Sequence, residues 1–193
     1  EKINVFISSE CADERYKIVR MGIKELLENT GMVSVYTYEN EGAISIGGER
    51  GFLRYIDSAD LVIFLIDKAK VISSGVLKEH TRAIELKKRS LYFFCNEHNK
   101  NKIELEKEVE EKNLGKYKNI NNYSEFVERV YRDVMQDIAI IYKERFWTNN
   151  SSIEINSGNI EKTSDIISCN DTKVENIKIE QTNYINKIEK VEN

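Results

Sequence analysis

Short runs of apolar residues recur along the first 120 residues and predict the strands of a buried sheet. The two most apolar runs, Leu61–Ile66 and Leu91–Cys95, contain aliphatic, β-branched and aromatic residues without polar alternation. This pattern is typical of strands that are buried on both faces, as in parallel sheets covered by helices. Three other runs predict the remaining strands, the last of them weak and at the sheet edge: Ile3–Ile7, Val33–Tyr38 and Tyr117–Ile120.

Between the strands, apolar residues recur at spacings of three and four, which indicates amphipathic helices. The predicted helices cover residues 13–29 (closed by Gly31 as C-cap), 49–59, Gly75 to about Lys88, and Ser124 (as N-cap) to about Trp147. Their predicted inner faces are Tyr16, Val19, Ile23, Leu26 and Leu27; Phe52, Leu53, Tyr55 and Ile56; Leu77, Ala83, Ile84 and Leu86; and Phe126, Val127, Val130, Tyr131, Val134, Ile138, Ile141 and Tyr142.

The order of strand and helix, repeated about five times, predicts an α/β fold with a doubly wound parallel sheet and right-handed crossovers. The first strand is expected to be central in this sheet. Paired glycines predict a flexible loop at residues 44–48, and the charged segment 97–116 is expected to be a surface excursion with some helix. We therefore divide the chain into an α/β domain, residues 1–147, and a polar region, residues 148–193.

That polar region, rich in Asn, Ser, Lys, Glu and Ile, is expected to be a poorly structured or small β tail, a linker or the start of a further module. A start at Glu1, without methionine, is compatible with an excised domain.

Composition narrows the class of protein. The net charge of −4 and the lack of a dominant basic face argue against nucleic acid as an obligatory partner. No apolar run approaches the roughly 20 residues that span a bilayer, and the N-terminus lacks the layout of a signal peptide. The three cysteines are isolated, without a CxxC motif, which argues against a disulfide framework or a zinc site. We expect a cytoplasmic protein without a membrane partner.

Small polar residues follow the first and third predicted strands, at the edge where open α/β sheets bind ligands. Ser8 and Ser9 end the first strand, and Ser74 and Gly75 open the helix after the third, where a ligand could approach the backbone amides. Glu79 is predicted to lie in the first turns of that helix, facing the same edge. Such an acid either stabilises the helix dipole or binds a ribose diol and stabilises an oxocarbenium-like transition state.

Several other sites have less support. The sequence has no GxGxxG after the first strand and no Walker A motif. Asp67 follows the third strand, as a receiver-domain phosphoacceptor does, but the acidic pair that would hold magnesium is missing, so we interpret it as a loop residue or a secondary cleft group.

Arg15 could reach the cleft or form a surface salt bridge. His80 and His98 lack partners at metal-ligand spacing and are predicted to be surface residues, so no metal is expected.

The order of these features resembles the TIR-like superfamily. The matching segments are Val5–Ser9, Glu14–Arg15, Tyr36–Glu39, Ser58–Asp60 before an apolar strand, and Ser74–Glu79. The chain is most similar to the bacterial "FISS…ER" variant found in prokaryotic defence proteins. The match covers about residues 2–96 and extends more loosely to residue 147. It implies a flavodoxin-like sheet of five parallel strands.

Enzymatic members of this superfamily cleave the N-glycosidic bond of NAD and release nicotinamide, and Glu79 matches the position of their catalytic glutamate. The resemblance thus implies an NAD hydrolase or cyclase that takes NAD as substrate and needs no cofactor. In many animal members Trp-Cys precedes that glutamate, whereas this chain has Val76–Lys78. The expected substrate-binding residues are Ser8, Ser9, Arg15, Tyr38, Glu39, Asp67, Ser74 and Gly75.

The resemblance also implies partners. The loop at residues 39–51 corresponds to one that mediates self-association and covers the active site, so we expect a homo-oligomer, attached to a sensing module or partner protein and acting in antiphage defence. Two other functions stay open. Nucleoside deoxyribosyltransferases share this fold and use a glutamate after a small-residue segment, and a non-catalytic TIR scaffold would only recruit partners through its loops.

Overall fold

The computed structural model describes residues 2–40 and 49–150, and within them the five predicted strands form one parallel sheet. The strands are β1 (Ile3–Ser9), β2 (Val33–Tyr36), β3 (Leu61–Asp67), β4 (Ser90–Cys95) and β5 (Lys116–Ile120). Their order in the sheet, β2-β1-β3-β4-β5, is the flavodoxin-like order. The predicted fold class is confirmed, with β1 inside the sheet and β5 at its edge.

Five helices and two short 3₁₀ turns connect the strands in the described residues. The helices are α1 (Glu14–Asn29), α2 (Glu49–Ser58), α3 (Ser74–Glu85), α4 (Glu104–Glu111) and α5 (Phe126–Asn150), and the turns are Tyr38–Asn40 and Tyr123–Glu125. The first turn ends β2 two residues before the predicted Tyr38. The second turn contains Ser124, so this residue is not the helix N-cap that we predicted. The helix α3 ends before the predicted Lys88 because Lys87 has a positive φ of 51°.

Side chains alternate across the sheet, so the strands supply two separate cores. On β1, Val5 and Ile7 belong to the core that is covered by α1 and α5. Phe6, between them, belongs to the core that is covered by α2, α3 and α4. Successive residues of a strand point to opposite faces. The last two residues of β1, Ser8 and Ser9, continue this alternation and therefore meet different helix layers.

The predicted inner faces of α1 and α5 are confirmed apart from two tyrosines of α5, since Tyr131 is only partly buried and Tyr142 is exposed. In α2, Ile56 is buried, Leu53 and Tyr55 are half-buried, and the side chain of Phe52 lies outside the described residues.

The predicted inner face of α3 is only partly confirmed, since Ala83 is buried and Ile84 is half-buried but the two leucines were wrong. Leu77 and Leu86 are exposed, and the buried residues of this helix are Val76, His80 and Ala83. The buried face is therefore rotated by about one residue and includes His80, which the apolar pattern left out because it is polar by type.

Two predicted features lie outside the described residues: the loop at residues 44–48 and most of the polar region at residues 148–193. Among the helices of residues 2–40 and 49–150, none combines the length and the apolar character needed to cross a membrane.

Candidate active site

The two serines that end β1 each contact a charged residue, on opposite sides of the sheet. The Ser8 hydroxyl donates a short hydrogen bond to Oε2 of Glu79, on α3. The Ser9 hydroxyl accepts a hydrogen bond of 2.6 Å from Nη1 of Arg20, on α1. Both serines are buried, at 1% and 3% exposure. The end of one strand therefore links a carboxylate in one layer to a guanidinium in the other.

Glu79 reaches this edge because α3 starts directly beyond the end of β3. The backbone amide of Val76 donates to the side chain of Ser73, the N-cap of α3, and Glu79 follows within the first two turns. The predicted neighbours Ser74 and Gly75 occupy the first turn of α3 and are exposed and half-buried. A Cβ on Gly75 would meet only Ser73 Oγ, at 3.9 Å, so packing alone does not require glycine there.

Arg20 was missed by the sequence interpretation, although it lies within the buried stripe of α1 and is 1% exposed. Its Nε lies 3.0 Å from both carboxylate oxygens of Glu39, and its Nη2 donates to the same carboxylate. Burial by itself would raise the pKa of Glu39, but hydrogen bonds from Arg20 and the backbone outweigh this and lower the pKa of that carboxyl. Glu39 is therefore held as an anion.

A small cleft that is open to solvent lies between these groups. It is lined by Phe6, Ile7, Ser8, Ser9, Cys11, Arg20, Tyr36, Tyr38 and Glu79. The ring of Tyr36 stacks on Phe6, with ring centroids 5.7 Å apart, whereas Tyr38 is 52% exposed. The cleft thus has an aromatic wall on the side of β2 and a carboxylate on the side of α3.

Cys11, also missed, lines this cleft; the residue as a whole is exposed, but its thiol donates to the backbone carbonyl of Ser9 and is part-buried. Burial there raises the pKa of the thiol to about 11. Arg20 opposes this change, and the carboxylates of Glu79, Glu10 and Glu39 add to it. The thiol is therefore protonated at neutral pH.

Asp67 and Arg15 form a different cluster. Asp67 accepts a hydrogen bond of 3.2 Å from the hydroxyl of Tyr123 and one of 2.9 Å from the backbone of Ala69. The guanidinium of Arg15 lies 4.3 Å from the centre of the Tyr123 ring and 4.0 Å from Asp67. Asp67 borders a second hollow beside the start of α3, which Glu79 does not line. The structure therefore places neither residue in the cleft of Glu79, and their roles in binding stay predictions.

His80 is buried at 4% exposure, which corrects its prediction as a surface residue. Its Nδ1 is 3.1 Å from the hydroxyl of Tyr92, its ring meets Phe64 edge-on, and its Nε2 is 3.7 Å from Glu108. Burial lowers the pKa of His80, an effect that Glu108 opposes. His80 therefore anchors α3 to β4 and α4. Within residues 2–40 and 49–150, no group of three or more His, Cys, Asp or Glu could hold a metal ion.

No family model matches the chain, and no curated protein matches it in sequence. Among solved structures, it is similar to the CMP N-glycosidase BcmB of Clostridium botulinum, with 16% identity over 66% of this chain and 96% of that one, at a TM-score of 0.49. It is also similar to the RPS4 and RRS1 TIR domain heterodimer, with 14% identity over 70% and 97% of the two chains, at a TM-score of 0.45.

A third similar structure is a flavodoxin-like domain from Synechococcus, with 11% identity over 67% of this chain and 94% of that one, at a TM-score of 0.42. At such identities and TM-scores these proteins carry no information about the reaction. The fold assignment rests on the strand order of the chain itself.

Proposed function

We propose that this chain is a TIR-like domain that cleaves the bond between nicotinamide and ribose in NAD or a related nucleotide. The observation that carries the proposal is the Glu79 carboxylate, held by the Ser8 hydroxyl beside a cleft at the carboxyl edge of the sheet. Open α/β sheets bind ligands at this edge. The exposed ring of Tyr38, on another wall, offers a surface on which a planar base can stack.

The chemistry of the leaving group explains why one carboxylate is sufficient. Among the described residues that line the cleft, Glu79 is the only carboxylate. Hydrolysis of an ordinary glycoside uses a second carboxyl group to protonate the leaving oxygen. The nicotinamide of NAD is already a cation, so it leaves with the bonding electrons as a neutral base and needs no proton donor. A cleft lined by one carboxylate therefore suits NAD better than a nucleoside with a neutral base.

In the proposed reaction the bond between C1′ of ribose and the ring nitrogen of nicotinamide breaks, and positive charge develops on the ribose. Glu79 accepts a hydrogen bond from a ribose hydroxyl and stabilises that charge through its own negative charge. Water then adds to C1′ and releases a proton, which gives ADP-ribose. Attack by a group of the same nucleotide instead of water would give a cyclic product.

The finer features follow from the resemblance to the TIR-like superfamily. We extend the proposal to assembly through residues 39–51, to activation by that assembly in the cytoplasm, and to a role in antiphage defence. The support in the structure is local. Glu39, the first residue of this segment, is held by Arg20 at the cleft, while residues 41–48 lie outside the described residues.

The test is to incubate the protein, dilute and under crowding, with NAD and to follow the release of nicotinamide. Wild type is expected to release it, and Glu79→Gln is expected to lose the activity. The matched control is Glu85→Gln, which changes an exposed glutamate on the same helix and should keep full activity. Equal release by wild type and Glu79→Gln, or no release in any assembled state, would contradict the proposal.

Two further outcomes would point to the other functions. Release of free base from deoxynucleosides but not from NAD would favour a nucleoside deoxyribosyltransferase. Capture of a partner that depends on residues 39–51, without turnover of any nucleotide, would favour a scaffold.

A further inference from the structure

The central observation is a buried arginine in the apolar stripe of α1. Arg20 lies between Tyr16 and Ile23, which are both 0% exposed, and is itself 1% exposed. Removing a guanidinium from water is costly unless hydrogen bonds and an opposite charge replace the lost hydration. An apolar residue at this position would stabilise the core at no such cost. The contacts of Arg20 therefore indicate why a charge is present.

The guanidinium joins two segments that are distant in the sequence. Nη1 donates to the hydroxyl of Ser9 at 2.6 Å and to the backbone carbonyl of Glu10 at 2.9 Å, at the end of β1. Nε and Nη2 donate to the carboxylate of Glu39, in the 3₁₀ turn after β2. The planar fork of arginine directs donors to both segments at once, a geometry that the compact ammonium group of lysine does not match.

Both segments supply walls of the cleft. Ser9 directly follows Ser8, so fixing the side chain of Ser9 and the backbone of Glu10 also fixes the backbone from which Ser8 reaches Glu79. On the other side, Glu39 directly follows Tyr38, the exposed aromatic residue of the cleft.

We infer that Arg20 is a positioning residue for the proposed N-glycosidase reaction. It acts through Ser9 on the pair of Ser8 and Glu79, and through Glu39 on Tyr38. This inference rests on the proposed function, and it assigns a different effect to each contact of Arg20. The contact with Ser9 serves the chemical step, and the contact with Glu39 serves substrate binding.

These separate effects of the two contacts predict different kinetic changes in three variants. Ser9→Ala should lower kcat about tenfold with little change in KM, as expected when a reacting group is displaced by a fraction of an ångström. Glu39→Gln should mainly raise KM, because the turn that carries Tyr38 loses its ion pair. Arg20→Lys should both lower kcat and raise KM. The control is Arg82→Lys, which alters an exposed arginine–carboxylate pair with Asp57 and should leave both constants unchanged.

A double-mutant comparison tests the route from Arg20 to Glu79. If Ser9 acts through Ser8, then Ser9→Ala should lower kcat in the wild-type background but have no further effect in Ser8→Ala. A merely structural role would instead lower the free energy of unfolding by the same amount in both backgrounds. Thermal unfolding and the fraction of active sites are measured for each variant, so that kcat refers to folded protein even if Arg20→Lys folds poorly.

The outcomes separate this inference from the proposed function. Absence of nicotinamide release by wild type would overturn both. Release by wild type, with kcat and KM of the folded Ser9→Ala and Glu39→Gln variants unchanged, would overturn the inference alone. The predicted split between kcat and KM, together with non-additivity of Ser8→Ala and Ser9→Ala, would support it.

Discussion

Two carboxylates, Glu79 and Asp67, are placed near the same edge of the sheet but have different surroundings. Glu79 accepts a hydrogen bond from Ser8 and lines an open cleft. Asp67 is 7% exposed and is bonded to the hydroxyl of Tyr123 and to a backbone amide, with Arg15 beside it. The edge position alone therefore does not mark a reactive group. We expect a carboxylate that serves a ligand to line a cleft, as Glu79 does, and one that accepts from a buried tyrosine and from the backbone, as Asp67 does, to serve mainly the fold.

The largest expected effect concerns activity at the open carboxylate. Glu79→Gln should lower the rate of nicotinamide release by at least about 100-fold, because it removes the charge that stabilises the ribosyl cation. The midpoint of thermal unfolding should change by only a few degrees, since the amide can still accept the hydrogen bond from Ser8. A large fall in this midpoint would show that Glu79 belongs to the fold, as Asp67 does.

The enclosed carboxylate should behave in the opposite way. Asp67→Asn should lower the free energy of unfolding by about 1–3 kcal/mol, because an amide cannot accept from the same donors without leaving one of its own groups unpaired. The rate of nicotinamide release per folded molecule should change less than about threefold, well below the effect of removing an oxyanion or charge contact. Urea denaturation measures the first quantity, and Tyr123→Phe, which removes the same hydrogen bond from its other side, is the matched control.

A third prediction concerns His80, which follows Glu79 on α3 but faces the core. Because burial holds the pKa of folded His80 below the usual value of about 6.5, neutral His80 contributes stability that is complete above that value and is lost as the pH falls toward the folded pKa. The midpoint temperature of unfolding should therefore decrease as the pH is lowered from 7.5 to 5.5. His80→Asn should weaken this dependence.

Other charged and titratable groups lie around His80, so the measurement needs a control. Glu108 faces the imidazole from α4 and Tyr92 from β4, and Lys112 lies near enough to oppose protonation. Carboxyl groups with a lowered pKa, such as Glu39, lose their contribution only in more acidic solution. His98→Asn, at an exposed histidine, should leave the pH dependence as it is. An unchanged slope in His80→Asn would contradict the prediction.

The smallest effect is expected at Cys11, a reporter of charge in the cleft. With the pKa of its thiol raised to about 11, Cys11 should react slowly with iodoacetamide at pH 7.5, since the thiolate is the reactive form. Glu79→Gln removes one of the negative charges that raise this pKa, so it should speed alkylation severalfold. Asp67→Asn should not, and mass spectrometry of the labelled peptide separates the two variants. Equal rates in both would contradict the contrast between the carboxylates.

Most of the architecture could be predicted from local patterns. The strands β3 and β4 are buried on both faces, so all their residues except Asp67 and Ser90 are apolar, and these apolar runs could be recognised in the sequence. The buried face of α3 could not be predicted in the same way. His80 is polar by type, yet its contacts with Tyr92 on β4 and Phe64 on β3 make it a core residue.

The candidate site likewise has features that local patterns predict and features that only the folded chain shows. The sequence by itself determined the parallel sheet and the edge at which its polar residues gather, because apolar runs and small residues act locally. The resemblance to the TIR-like superfamily then singled out Glu79 as the carboxylate to test. Only the tertiary structure decided which polar residues meet. Ser8 and Glu79 are 71 positions apart, and Arg20 and Glu39 are 19 apart. Such pairs depend on crossovers that bring distant segments together, so no local pattern along the chain encodes them.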